Sequence, residues 1–184
     1  MAKKMDKTQT TYRPPIVSFL GHVDHGKTTI LDKIRESSIQ EDEEGGITQC
    51  ISVYSVRHNE KDITFVDTPG HEAFDLMRLR GGSVADIVLL IVAANDGVKP
   101  QTKESIEIIK KAKKPVIVVI NKVDISGVDI PKVKRELASE DIIVESMGGD
   151  IPSVEVSGKT GKGIPDLLDM IHLVAEVSEI TPKD

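Results

Sequence analysis

The sequence predicts a three-layer α/β/α domain on a mostly parallel six-stranded sheet with one antiparallel edge strand. Three observations carry this expectation. Short β-rich apolar runs alternate with stretches of helical spacing, the pattern of a parallel sheet with crossover helices. Two of those runs, Ile87 to Val92 and Val116 to Ile120, are aliphatic without interruption, as in strands covered on both faces. One pair of runs flanks only His58-Asn59-Glu60-Lys61 and reads as a hairpin, which supplies the antiparallel strand.

Taken in order, Ile16 to Leu20 is a buried strand. Lys27 to Arg35 follows as a helix with Ile30, Leu31 and Ile34 on one face. Ser37 to Gly46 is polar and acidic, ends in Gly-Gly and reads as a mobile loop. Its run Glu41-Asp42-Glu43-Glu44 reads as a solvated face before a partner contact. Cys50 to Val56 and Asp62 to Val66 are the hairpin strands. Pro100 to Ala112 is a helix, Pro131 to Ser139 a looser one, and Ser153 to Val156 a short last strand. Ile164, Leu167, Leu168, Ile171, Val174 and Ala175 keep helical spacing, with Pro165 suited to a first turn. Residues 1–12 form a Lys- and Thr-rich flexible tail without the apolar core of a secretory signal. Residues 13–180 are the domain, and 181–184 are expected to be an end cut from a longer chain.

Composition narrows the function classes. The 184 residues fit one domain with a sizeable core. Aromatics are 3% with no Trp, so a surface that stacks many bases is not expected. The net charge of -6 argues against an electrostatic grip on nucleic acid. Cys50 is the single cysteine, which rules out an intramolecular disulfide and fits a reducing, cytoplasmic setting. It reads as a small apolar filler in a strand. No apolar run is long enough to span a membrane.

Gly21-His22-Val23-Asp24-His25-Gly26-Lys27-Thr28 matches the pattern G-x-x-x-x-G-K-[ST], with a strand before it and a helix after it. Glycines let backbone wrap a phosphate without side-chain collision. Successive N–H groups then form an anion nest beside the positive end of the helix, which Thr29 continues. Lys27 is expected to bridge the β- and γ-phosphates and the Thr28 hydroxyl to bind Mg²⁺. A chance glycine turn explains this register poorly. Asp67-Thr68-Pro69-Gly70 follows the second hairpin strand. A carboxylate at a strand end suits the Mg²⁺ hydration shell, and Gly70 can bring its N–H to a γ-phosphate. Alone, such a run is merely a good turn.

Asn121-Lys122-Val123-Asp124 follows the strand Val116 to Ile120. A carboxylate accepts from both N1–H and the N2 amino group of guanine, and adenine has neither donor there, so Asp124 predicts a guanine preference. Asn121 is expected to tie this loop to the phosphate loop, and the stem of Lys122 to cover the ring. Ser157-Gly158-Lys159 follows the last strand and is placed to give a backbone N–H to guanine O6. The expected fold is thus a P-loop GTPase G domain binding GTP or GDP.

Together these residues resemble the translational GTPases. The phosphate loop and Asp67-Thr68-Pro69-Gly70-His71 carry that group's wording. Gly45-Gly46-Ile47-Thr48-Gln49, Met77-Arg78-Leu79-Arg80-Gly81 and Asn95-Asp96-Gly97-Val98-Lys99-Pro100-Gln101-Thr102 narrow the resemblance to the initiation factor two family of the bacterial type, close to its archaeal and eukaryotic relative. The resemblance covers about Pro14 to Ile180. It implies that Thr48 joins Mg²⁺ and senses the γ-phosphate, and that His71 positions the attacking water once the ribosome orders it. It also implies that Val23 and Ile47 gate His71 and that Asp24 helps hold a monovalent cation. The implied partners are the GTPase-activating centre of the large ribosomal subunit and, through domains absent from this sequence, initiator tRNA. No membrane is implied, and the isolated domain is expected to be a monomer.

Two residues depart from the family. Gly158 stands where alanine is common, so the base loop is expected to be looser. Cys50 stands where a histidine often follows Thr-Gln, which puts a switch contact in doubt. His58 and His172 read as solvated or packed, and for His22 and His25 the backbone matters more than the ring. Three other readings compete with a hydrolytic switch. One is a binding module with negligible turnover. Another is the selenocysteine-specific elongation factor, against which Gly45 to Gln49 argues. The weakest is an ATPase, which Asp124 disfavours.

Overall fold

The computed structural model describes residues 13–37, 52–67, 85–178 and 180. Six strands form one sheet: β1 (Ile16–Gly21), β2 (Ser52–His58), β3 (Lys61–Asp67), β4 (Ile87–Ala93), β5 (Val116–Asn121) and β6 (Ser153–Glu155). Their spatial order is β2-β3-β1-β4-β5-β6. Only the edge pair β2–β3 is antiparallel. Four α-helices lie among the described residues: α1 (Lys27–Ser37), α2 (Pro100–Ala112), α3 (Ile130–Ser139) and α4 (Ile164–Val177).

The three layers follow from side-chain alternation in the central strands. In β4, Ile87, Leu89 and Ile91 join Ile30, Ile34, Leu167 and Ile171 of α1 and α4. Val88, Leu90 and Val92 face the other way and join Ile106, Ile109, Val133 and Leu137 of α2 and α3. Every residue of β4 is buried, which is why its sequence shows no polar alternation.

Boundaries shifted in two informative places. Both strands of the hairpin extend into the expected four-residue connection, leaving Asn59-Glu60 as its tip. These two residues take φ of 51° and 65°, the left-handed conformation that two-residue hairpin loops need. α3 starts at Ile130, one residue before the expected Pro131, because Asp129 caps it: its Oδ1 accepts from the Lys132 N–H at 3.0 Å. The expected tail, the loop 38–46, Gly45 to Cys50, Thr68 to His71, Met77 to Gly81 and 181–184 lie outside the described residues.

Candidate nucleotide-binding site

The described motif residues lie at one rim of the sheet. Gly21 ends β1, Asp67 ends β3, the segment 94–99 follows β4, Asn121 ends β5 and Ser157 lies just past β6. In an open parallel sheet, the crevice beyond the carboxyl ends of the strands is the usual ligand position.

The phosphate loop leaves β1 through Gly21 at φ 142° and closes through Gly26 at φ 91°. A Cβ on Gly21 would lie 2.4 Å from the Ile91 carbonyl oxygen, and one on Gly26 would lie 2.3 Å from Asn121 Nδ2. Both glycines are therefore required by conformation and by space. Between them, Val23 to His25 form a single 3-10 turn, and α1 begins at Lys27. The first turn of a helix presents N–H groups that lack intrahelical partners, which makes this end of α1 suited to an anion. Burial holds the Lys27 ammonium below the ordinary lysine range, with Asp67 pulling weakly the other way. A polyphosphate at this position would supply the missing counter-charge, so the donor set fits the nucleotide that the sequence implies.

Asn121 is the junction of the site. Its Nδ2 donates to the His25 carbonyl at 2.8 Å and its Oδ1 accepts from the Gly158 N–H at 3.0 Å. One buried side chain thus joins the phosphate loop to both base loops. Lys122, at φ 63°, donates from Nζ to the Asp24 carbonyl at 2.8 Å. Val123 continues the loop, its N–H bonded to the Val156 carbonyl at 3.3 Å. Asp124 is exposed, and its Oδ1 accepts from the Ser157 hydroxyl at 2.8 Å. Ser157 in turn accepts from the Thr160 N–H at 3.1 Å, while Lys159 points to solvent.

Two histidine readings need revision. The His25 ring is fully buried and its Nε2 donates to Asp96 Oδ2 at 3.1 Å, so the ring as well as the backbone has a role. Burial keeps its pKa below 6.5 despite Asp96, so the contact is a neutral N–H on a carboxylate near pH 7. The His22 ring packs on it with centroids 4.7 Å apart, and His22 Nδ1 accepts from the Asp24 N–H at 3.1 Å. Val23 is 57% exposed; its implied gate partners Ile47 and His71 lie outside the described residues, as do Thr48, Thr68, Pro69 and Gly70. Thr28 and Thr29 are exposed at the start of α1. Asp96 and Gln101 were read only as wording of a resemblance. No spacing rule links His25 to a carboxylate 71 residues away.

Residues 13–177 match the model of the elongation factor Tu GTP binding domain. The chain belongs to that family. It is similar to the translation initiation factors IF-2 of Kosmotoga olearia, at 55% identity over 95% of this chain, and of Petrotoga mobilis, at 52% over 95%. It spans about a quarter of the length of these relatives, 25% in each case. Among solved structures it is similar to GDP-bound aIF5B from Aeropyrum pernix, with a TM-score of 0.68 and 36% identity over 90% of this chain and 36% of that one. It is also similar to elongation factor SelB from Methanococcus maripaludis with the GTP analogue GppNHp, with a TM-score of 0.66 and 28% identity over 94% of this chain and 35% of that one. The resemblance to initiation factor two and the expected fold class both hold. As a GTPase domain of this family, the chain takes GTP and GDP.

Proposed function

We propose that this domain is the GTP-driven switch of a translation initiation factor. In this reading the switch promotes initiator-tRNA binding and joining of the ribosomal subunits through parts of the protein beyond this domain. The observation that carries its nucleotide chemistry is the Asn121 junction, which couples the phosphate loop and both base loops through two buried bonds of 2.8 and 3.0 Å. Such coupling lets the loops that read guanine hold the loop that reads phosphate in register.

Asp124, oriented by Ser157, accepts from the guanine N1–H and amino group, and the Lys159 N–H faces O6, since that of Gly158 is held by Asn121. Lys27 and the N–H groups of the phosphate loop hold and polarise the β- and γ-phosphates. Thr28, Asp67 and Thr48 would hold Mg²⁺, which neutralises charge on those phosphates when bound. Asp24 is the candidate for a monovalent cation. Thr48 and Gly70 sense the γ-phosphate, so hydrolysis releases their two loops. His71 positions the attacking water when the GTPase-activating centre of the large ribosomal subunit orders it. Turnover without the ribosome is slow, because His71 needs the ribosome to align it.

Calorimetric titration with GDP, GTP and ATP, with and without Mg²⁺, tests the nucleotide: GDP and GTP bind and ATP does not, and equal ATP binding would overturn the reading of Asp124. Phosphate release with and without ribosomes separates a switch from a binding module. His71→Ala should lose the ribosome-stimulated rate while keeping GDP affinity; retention of the full stimulated rate would sink the role of His71.

A further inference from the structure

The turn after β4 and the first turn of α2 read neither base nor phosphate, yet between them they hold the phosphate loop at two points. The Val23 N–H donates to Gln101 Oε1 at 3.1 Å. The buried His25 ring donates from Nε2 to Asp96 Oδ2 at 3.1 Å. The segment is itself fixed. Asp96 Oδ1 pairs with Lys99 Nζ at 3.1 Å, and the Val98 N–H donates to Glu136 Oε2 of α3 at 2.9 Å. Gly97 sits at φ 69° against that carboxylate, where a Cβ would fall 2.3 Å from Glu136 Oε2.

We propose that Asp96 and Gln101 are positioning residues for phosphate binding: they hold the turn Val23–His25 from outside while Asn121 and Lys122 hold it from the base side. The inference rests on the nucleotide reading given above. The two grips differ in what they secure. Asn121 and Lys122 bind carbonyls, at His25 and Asp24, and so orient the peptide planes. Gln101 accepts from a peptide N–H and Asp96 fixes a side chain, so together they prevent the turn from rolling about the axis that the carbonyl bonds define. An anion nest works only when its N–H groups point inward before the ligand arrives. Loss of the outer grip should therefore weaken binding of the diphosphate and leave base discrimination intact, because Asp124 and Ser157 touch neither Asp96 nor Gln101.

The test uses Asp96→Ala and Gln101→Met, which remove the acceptors, and Asp96→Asn, whose Oδ1 still accepts from the His25 ring. GDP and inosine diphosphate are titrated into each, since the second lacks the amino group that Asp124 reads. Each removing variant should raise both dissociation constants by up to about tenfold, equally, as expected for one lost hydrogen bond. Asp96→Asn should stay within about threefold of the parent. Thermal midpoints of the nucleotide-free proteins show whether the variants are folded. Unchanged GDP affinity in folded Asp96→Ala and Gln101→Met would overturn the proposal. So would a change in the ratio of the two constants, or an equal loss in Asp96→Asn. Failure of the parent protein to bind GDP would instead overturn the nucleotide reading itself.

Discussion

Ser157 shows how one hydroxyl can set both a carboxylate and a turn. It donates to Asp124 Oδ1 at 2.8 Å and accepts from the Thr160 N–H at 3.1 Å. Ser157→Ala leaves Asp124 in place but free to rotate, and removes a bond from the turn that carries Lys159. One or two such bonds are worth about 1 kcal/mol each, so GDP affinity should fall about five- to thirtyfold by calorimetry. Gly158 makes an opposing case to its sequence reading. Glycine there was expected to loosen the loop, yet it is buried, its N–H is bonded to Asn121, and a Cβ would lie 3.1 Å from both Ile30 N and Thr29 Cγ2. The atoms in the way include the backbone of the first turn of α1, which yields little. Gly158→Ala should therefore weaken GDP binding by a few fold; a gain in affinity would restore the loose-loop reading. The bracing role of Asn121 and the need for Gly21 and Gly26 were legible in the sequence, because each position demands one residue type at one spacing. Which side chains brace them was not legible, since Gln101 lies 78 residues from Val23 and nothing local joins them.

At the scale of elements, the strands and helices were readable wherever burial leaves a period or an unbroken run. β4 and β5 are aliphatic because both faces are covered, and α4 repeats its apolar stripe over Ile164, Leu167, Leu168 and Ile171. Contacts between distant elements were not readable. His58 and His172 were assigned separately, at a hairpin tip and on a helix, yet they pack together with rings 5.8 Å apart. His172 Nε2 donates to the His58 carbonyl at 3.0 Å, and Asp169 accepts from His58 at 2.7 Å and from Asn59 at 3.1 Å. α4 thereby holds the tip of the hairpin β2–β3. Burial lowers the pKa of His172, among His58, Lys61 and Asp169, and that of His25, among Asp96, His22 and Lys122, below the ordinary 6.5. The unfolded chain then takes up these protons at higher pH than the folded one. Stability is full above about pH 6.5 and declines as the pH falls below it. The thermal midpoint should accordingly drop between about pH 7.5 and about pH 5.5, and the drop should be shallower in His172→Gln, whose amide can still donate to the His58 carbonyl. An identical drop in the variant would remove His172 from the account.

The molecule as a whole carries 30 acidic against 24 basic residues and few aromatics, a net charge of -6 that does not attract a polyanion over a distance. Among the described residues, the feature suited to phosphate is the rim that holds Gly21, Lys27, Asn121 and Ser157. Binding to RNA needs several lysine or arginine contacts, each releasing counterions, and affinity then falls steeply with salt. This domain should therefore show no saturable binding to initiator tRNA in filter binding at about 0.15 M salt, where screening acts within about 8 Å. GDP affinity should be the same with and without the tRNA. A saturable, salt-sensitive tRNA complex of the domain alone would mean that recognition begins here, and not in the remaining three quarters of the relatives' length, which this chain does not span.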